Sequence, residues 1–280
     1  MKQPRALELY ASLWSLRGYP NQGREWSWRR KFAAIADAGF DGVYAPPTRE
    51  LAGRGSLRYR AVASLRRRDE IGGVLAAAIA LGAESIDFQI GSADMPLSAA
   101  LALLREVSRQ AMRHGLPFAV ETHRATVTET LAKTVALVRQ YRRSTGATLP
   151  LCLDHSHHAV VGHIAPPFWP ALSRPAELIR AARRFHLRPF NGHHAQLPAL
   201  TAGGRRTPEY RDWLGYVRDL FATLSRQQRS EAVPLVIEVG HDRPAYRLSG
   251  FPDTWREVRA VAREVKRLWP RGPNSDTPPA

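Results

Sequence analysis

The stretch Leu151-Cys-Leu-Asp154-His-Ser-His157 decides the fold, because a short apolar run ends there in a cluster of polar side chains. The same arrangement occurs in Pro117-Phe-Ala-Val-Glu121-Thr-His123, in Arg184-Phe-His186-Leu and in Pro234-Leu-Val-Ile-Glu238-Val-Gly. These apolar runs are nearly continuous rather than alternating, which is typical of parallel strands that are covered on both faces. Each run therefore predicts a buried strand with a polar residue at its C-terminal end.

Outward from these runs, short apolar segments alternate with longer segments of helical period, which indicates repeated β-α units. Eight strands are predicted, at Leu7–Leu13, Gly42–Ala45, Tyr59–Ser64, Ser85–Ile90, Phe118–Thr122, Leu149–Asp154, Phe185–Pro189 and Leu235–Val239. The predicted helices are Trp28–Ala38, a short one near Arg49–Ala52, Asp69–Leu81, Ser98–His114, Thr128–Tyr141, Ala176–Arg184, Glu209–Ser225 and Thr254–Trp269. Eight such units predict an α/β protein, a single (β/α)8 TIM barrel.

The size of the chain also favours one barrel. Its 280 residues are 44% hydrophobic, which is enough for one large core, and such a barrel typically takes about 250 residues. We expect the barrel to occupy residues 1–270 and residues 271–280 to form a disordered tail, because this end is rich in Pro, Ser and Asp. We find neither a membrane span nor a signal cleavage site, and therefore expect a cytoplasmic protein without membrane partners.

The net charge of +16 raises the question of a nucleic-acid partner. The basic residues are nearly all arginines, however, and they are dispersed along the polar faces of the predicted helices. Dispersed charge favours solvated helix faces over a nucleic-acid groove, although an anionic small molecule stays an open alternative. No glycine-rich phosphate loop is found, so neither ATP nor NAD is expected as a cofactor.

Four polar residues end four consecutive strands, where barrels of this kind place their active sites. Three of them, Glu121, Asp154 and Glu238, are carboxylates, and the fourth is His186. Buried carboxylates that face one another repel unless a cation or proton compensates them. A divalent cation would do so, and this mostly oxygen donor set suits Mn²⁺, Mg²⁺ or Co²⁺. The alternative is a structural role, in helix capping or in pairing with arginines.

The order and strand positions of these residues resemble the xylose isomerase-like barrels, a family of sugar isomerases, ketose 3-epimerases, hydroxypyruvate isomerase and endonuclease IV. The resemblance spans nearly the whole barrel and rests on Glu121, Asp154-x-x-His157, His186, Glu238 and Ala38-Gly-Phe-Asp-Gly42. It implies one divalent metal ion, preferably Mn²⁺ with Mg²⁺, Co²⁺ or Zn²⁺ as alternatives, bound by Glu121, Asp154, His186 and Glu238. It also implies that Glu121 and Glu238 are the catalytic acid/base pair and that His157 contacts the substrate.

The resemblance implies a metal-dependent isomerase or epimerase that acts on a sugar, a sugar phosphate or a related hydroxy-carbonyl compound through a metal-stabilised enediolate. The same stabilisation can expel a leaving group, so a lyase or dehydratase acting on a keto or hydroxy acid is the alternative. A nuclease like endonuclease IV is less favoured, because the first histidine is His114 on a helix and no Asp-x-His follows His186. A non-catalytic binding barrel is a further alternative.

Other polar and aromatic residues near the strand ends are candidates for substrate binding, namely His123, His193, His241 and Trp14. His193 begins a long segment, 191–207, that we interpret as a mobile lid; an oligomer contact or a plain surface loop is the alternative. His155, His158 and His163 follow Asp154 in a predicted loop, where some are expected to be exposed. The expected partner is a small polyhydroxylated molecule, with its charge and a homo-oligomeric state left open.

Overall fold

The computed structural model describes residues 6–227, 232–240, 248 and 250–270. Its eight strands form one closed barrel, in which each strand pairs in parallel with the next and the last pairs with the first. The strands are β1 Leu7–Ser12, β2 Gly42–Ala45, β3 Arg58–Leu65, β4 Ile86–Ile90, β5 Phe118–Glu121, β6 Leu151–Asp154, β7 Ala182–Leu187 and β8 Val233–Ile237. The predicted α/β class and TIM barrel are therefore confirmed. The predicted tail, 271–280, lies outside the described residues.

Helices lie between the strands and complete the β-α pattern. They are α1 Trp28–Asp37, α2 Glu70–Ala80, α3 Leu97–Arg113, α4 Leu131–Thr145, α5 His155–Val161, α6 Trp169–Leu172, α7 Ala176–Ala181, α8 Pro208–Arg226 and α9 Thr254–Leu268, with short 3-10 helices at Leu13–Leu16, Gln22–Arg24 and Arg49–Gly53. Helix α4 begins later than predicted, because the Thr130 side chain caps it by accepting the N–H of Lys133. Within the described part of the chain, no helix is long and apolar enough to cross a membrane.

Strand β7 begins three residues earlier than predicted, and helix α7 ends correspondingly early at Ala181. The sequence pattern assigned Arg183 and Arg184 to the helix surface. In the structure Arg183 is exposed, but Arg184 is buried in the barrel, where its Nη1 lies 3.3 Å from Asp87 Oδ1. A charge that is neutralised by a distant strand cannot be recognised from its sequence neighbours. The prediction of strand β7 at Phe185–Pro189 was therefore wrong at its start.

Helix α5, which was not predicted, begins directly after Asp154. The Asp154 side chain caps it by accepting the N–H of Ser156 at 3.0 Å. His155 and His158 lie in this helix and are buried, contrary to the expected loop. Nδ1 of His155 lies 2.8 Å from Tyr216 Oη, and Nε2 of His158 lies 3.0 Å from the Thr128 carbonyl oxygen. Because burial lowers their pKa values to about 3 and about 4, both rings are neutral packing residues. His163 is exposed.

Layers of side chains fill the N-terminal half of the barrel. Near the start of β1, Glu8 forms ion pairs with Arg58 and Arg60 of β3, at 2.7 and 3.1 Å. Above them lies an apolar layer made by Tyr10, Tyr44, Val236 and Val62. Gly42 makes room for this layer, since a Cβ atom there would lie 2.6 Å from Tyr10 Cε1. The filled half supports the open C-terminal end, where the functional residues lie.

The buried pair of Arg184 and Asp87 yields a stability prediction. Replacing Arg184 with Met leaves the Asp87 carboxylate in the barrel without its cation, a change that typically costs about 3–5 kcal/mol of unfolding free energy. Urea denaturation should show a loss of this size for R184M. The matched variant R183M, which changes the exposed neighbouring arginine, should stay within about 0.5 kcal/mol of the parent protein. Equal stability of the two variants would show that Asp87 does not need this partner.

Candidate metal centre

The C-terminal ends of the strands surround a cavity of about 1470 Å³. Tyr44 of β2 and Gln89 of β4 line it, together with Glu121 at the end of β5 and Glu238 directly after β8. The cavity is therefore located where barrels of this fold place their functional groups.

The four residues predicted as metal ligands converge in this cavity. Donor atoms of Glu121, Asp154, His186 and Glu238 all lie within 4.8 Å of one another. The Nδ1 atom of His186 lies 2.9 Å from Glu238 Oε2 and 3.5 Å from Glu121 Oε1. Glu121, Asp154 and His186 are buried, whereas the Glu238 side chain is 16% exposed towards the cavity. Four separate strand ends thus contribute to one cluster.

This cluster has the chemistry that a divalent cation needs. Both ring nitrogens of His186 and the Oε2 atom of Glu238 are buried, and among the described residues none of them has a hydrogen-bond partner. The contact between His186 Nδ1 and Glu238 Oε2 has the length of a hydrogen bond but not its geometry. Buried nitrogen and oxygen atoms that face one another without a hydrogen bond can be satisfied by binding the same cation. Carboxylate oxygens with one imidazole suit Mn²⁺, Mg²⁺ or Co²⁺, and the metal itself stays a prediction.

Arg188 belongs to the same cluster, although the sequence analysis did not single it out. Its buried guanidinium contacts Asp154 Oδ2 through Nη2 and lies 3.8 Å from Glu238 Oε2 through Nη1. Its Nε donates to Ser156 Oγ at 2.9 Å. The alternation of side chains along an extended chain gave a usable signal, because Arg188 lies two residues after His186 and therefore on the same side.

Arg188 changes the charge balance that the sequence suggested. The three carboxylates do not face one another uncompensated, since a permanent positive charge already lies beside Asp154 and Glu238. One guanidinium leaves two of the three negative charges to be neutralised. With a neutral His186, a single divalent cation would balance the cluster.

Glu121 is held in position by neighbours on three elements. Its Oε2 accepts a hydrogen bond from Gln89 Nε2 at 3.1 Å and lies 3.4 Å from Tyr44 Oη. Its carbonyl oxygen accepts from Thr128 Oγ1 at 2.9 Å, and the same hydroxyl accepts the N–H of His123 at 3.2 Å. These contacts fix both the carboxylate and the loop that follows β5. Such support is what keeps a functional group in one geometry.

Protonation in this cluster follows from burial and from the neighbouring charges. Burial alone would lower the pKa of His186, but the carboxylates of Glu121 and Glu238 raise it to about 9. Burial raises the pKa of Glu121, whereas Arg188 and His186 overcome the effect of burial on Glu238 and lower its pKa. At neutral pH the metal-free cluster therefore holds protons that a metal ion would displace.

His123 and His157 form a second pair beside the carboxylates. Their ring centroids lie 4.0 Å apart, and donor atoms of both lie within 4.8 Å of one on Glu121. Burial lowers the pKa of each ring, so both are neutral at neutral pH. Nδ1 of His123 lies 2.6 Å from the Arg124 carbonyl oxygen and must carry the proton, which leaves Nε2 as an acceptor.

The protonation of His157 is fixed by Arg188. Its Nε2 lies 2.7 Å from Arg188 Nη2, and a guanidinium can only donate. Nε2 therefore accepts, and Nδ1 carries the proton of the neutral ring. This Nδ1 is buried, and no described residue accepts its hydrogen bond. His157 and His123 both line the cavity.

The remaining predicted binding residues fall into two groups. Trp14 and His193 line the cavity. Trp14 packs against Gly240, where a Cβ atom would lie 2.7 Å from Trp14 Cε3, so that position needs glycine. His241 lies outside the described residues.

The predicted lid segment, 191–207, is anchored at several points. The Gln196 amide donates to the Glu238 carbonyl oxygen and accepts the N–H of Gly240, each at 3.1 Å. The carboxylate of Glu257 on α9 accepts the N–H of Leu200 at 3.2 Å. The segment is thus attached both to the end of β8 and to a helix, and its role as a mobile lid stays a prediction.

Comparison with known proteins identifies the fold. No protein-family model matches the sequence, and no curated protein matches it. The probable 3-DHS dehydratase AsbF from Bacillus anthracis matches with a TM-score of 0.58 and 15% identity, over 95% of this chain and 100% of that chain. D-allulose 3-epimerase from Methylomonas sp., in complex with D-allulose, matches with a TM-score of 0.61 and 15% identity, over 96% and 98%.

A xylose isomerase-like TIM barrel protein from Mycobacterium smegmatis, in complex with magnesium, matches with a TM-score of 0.57 and 12% identity, over 96% of this chain and 100% of that chain. This chain has the xylose isomerase-like barrel fold. The resemblance that the strand-end residues indicated is thereby confirmed at the level of the fold. At these identities the xylose isomerase-like fold does not by itself assign a reaction.

The protonation of the cluster yields a prediction about metal binding. His186 must lose its extra proton before it can bind a metal ion, and Glu121 adds a second proton to be displaced. We expect Mn²⁺ binding at pH 7.5 to release about one proton or more and to tighten as the pH rises. Calorimetry in two buffers of different ionisation enthalpy measures the released protons. The exposed-histidine variant H163Q should behave like the parent, and a pH-independent affinity would contradict this account of the cluster.

Proposed function

We propose that this protein is a divalent-metal-dependent isomerase or epimerase that acts on a sugar, a sugar phosphate or a related hydroxy-carbonyl compound. The observation that supports it best is the convergence of Glu121, Asp154, His186 and Glu238 at the open end of the barrel. These four residues would hold the metal ion, for which Mn²⁺ is our first choice. When bound, it would act as a Lewis acid towards the substrate oxygens. The similar epimerase in complex with D-allulose supports the substrate class.

The chain's own carboxylates supply an acid and a base. Glu238 is the more accessible of the two, and no described residue donates a hydrogen bond to its Oε1. It would remove the proton from the carbon beside the carbonyl. Glu121, which Gln89 and Tyr44 hold at the end of β5, would return a proton to the substrate. Return to the opposite face of the same carbon gives an epimer, and return to the neighbouring carbon gives an isomer.

A dehydratase acting on a keto or hydroxy acid is the second candidate, and the pair of His123 and His157 favours it. His123 Nε2 is a neutral acceptor, and His157 Nδ1 is a donor without a partner among the described residues. In an elimination, His123 would take the proton as the C–H bond breaks and, as an imidazolium, would give it to the departing hydroxide, so that water leaves as the C=C bond forms. His157 Nδ1 would donate a hydrogen bond to that oxygen. The similarity to the probable dehydratase agrees with this candidate.

The first candidate predicts a loss of activity in E238Q, which removes the charge and keeps the shape. In D₂O, the metal-loaded protein should exchange a C–H proton of a sugar, a sugar phosphate or a sugar acid, and EDTA should stop the exchange. We expect E238Q to lower the exchange rate by at least about a hundredfold. NMR measures the exchange, and circular dichroism checks the fold. The control E209Q changes an exposed carboxylate on α8, outside the cavity. Full activity of E238Q would remove Glu238 from the mechanism.

Variants of His123 distinguish the two candidates. If the reaction is a dehydration, H123Q should abolish formation of the conjugated product, which ultraviolet absorbance detects, because the base is lost. If it is an isomerisation by the two glutamates, H123Q should keep the exchange rate within about tenfold of the parent. The second candidate fails if no hydroxy-keto acid is dehydrated by the parent protein or if H123Q dehydrates it at the parental rate.

A further inference from the structure

The inward-facing side chains of β3 lead from the ionic layer of the barrel to the mouth of the cavity. Along this strand Arg60 pairs with Glu8, Val62 belongs to the apolar layer, and Ser64 lines the cavity. Successive side chains of a strand alternate between its two faces, so the next residue in this series is Arg66. Arg66 also lines the cavity, one residue beyond the end of β3.

The turn that carries Arg66 is held by helix α2. The Glu70 carboxylate accepts the N–H groups of both Arg66 and Arg67, at 2.8 and 3.1 Å. The two arginine side chains then differ. Arg67 forms an ion pair with Asp69 at 2.8 Å, whereas no carboxylate of the described residues forms one with Arg66. Arg66 therefore presents its positive charge at the cavity while its neighbour's charge is neutralised.

The balance of charges around the cavity is the reason for singling out Arg66. The three carboxylates of the cluster would be balanced by a divalent ion and Arg188, as described above. Glu25, another cavity carboxylate, is balanced by buried Lys31, which it contacts directly. Arg66 forms no close ion pair within the part of the chain that the structure describes, although its charge helps to lower the pKa of the exposed Asp94 carboxylate. Arg17 and Arg124 line the same cavity.

We infer that the substrate carries an acidic group, a carboxylate or a phosphate, that Arg66 binds while the hydroxy-carbonyl part reaches the metal centre. This inference rests on the proposed function, because it uses the metal-loaded charge balance. A guanidinium matches both acidic groups, since its parallel N–H donors can form two hydrogen bonds with either. A neutral sugar would offer no charge for the exposed Arg66 side chain to bind.

Calorimetric binding to the Mn²⁺-loaded protein tests this inference with sugars that share one carbon skeleton. The first series is D-glucose, D-glucuronate and D-glucose 6-phosphate, and the second is D-fructose, D-fructuronate and D-fructose 6-phosphate. We expect at least one acid to bind about tenfold or more tightly than its neutral counterpart, as a charge-assisted hydrogen bond predicts. The acid that gains most distinguishes a carboxylate from a phosphate as the recognised group.

Arg66→Gln and Arg67→Gln form a matched pair of variants. R66Q should bring the affinities for the acid and the neutral sugar close together, whereas R67Q should keep the parental preference. The inference is overturned if neutral sugars bind as well as the acids, if R66Q keeps the preference, or if none of the six compounds binds. Metal-dependent C–H exchange on a neutral sugar would overturn it while leaving the proposed function standing. Absence of metal binding would instead overturn the proposed function.

Discussion

The structure depends on how the barrel accommodates three carboxylates at one buried place. Glu121, Asp154 and Glu238 approach each other within a few ångströms where water is largely excluded. Unpaired charges in such a place are strongly unfavourable, so cations must accompany them. Arg188 supplies one positive charge, and the remaining two negative charges create the demand for a divalent ion. The same electrostatic constraint thus accounts for the arginine, for the protonated histidine of the metal-free cluster and for the metal ion that we propose to replace its proton.

The rest of the barrel interior follows a similar rule, in which each buried charge has a partner on another strand. Glu8 pairs with arginines of β3, and Asp87 of β4 pairs with Arg184 of β7. These pairs connect strands that are distant in sequence, so they specify which strands face each other across the barrel. The ionic layer lies at the N-terminal end and leaves the opposite end free for function, as is usual for this architecture.

The parts of the molecule that could be predicted are those with local signals. Each strand is an apolar run, and Glu121, Asp154 and Glu238 stand out because a carboxylate ends a run that is otherwise hydrophobic. Arg184 was misassigned for the opposite reason, since an arginine beside another arginine resembles a helix surface unless Asp87 is known to lie opposite. Arg188 was missed because its partners, Asp154 and His157, come from β6 and from the helix that follows it. His155 and His158 were taken for loop residues because their burial depends on contacts with α8 and with the loop after β5.

The side chain of Gln196 has a consequence for how the cavity could open. Its amide binds the backbone on both sides of Val239, in the manner of an additional strand at the end of β8. The segment after β7 and the peptide that carries Glu238 therefore behave as one mechanical unit. Lifting that segment to admit a ligand would break both bonds and shift a carboxylate of the cluster. A ligand that entered from this side would therefore disturb the candidate metal centre. This favours entry past the opposite rim of the cavity.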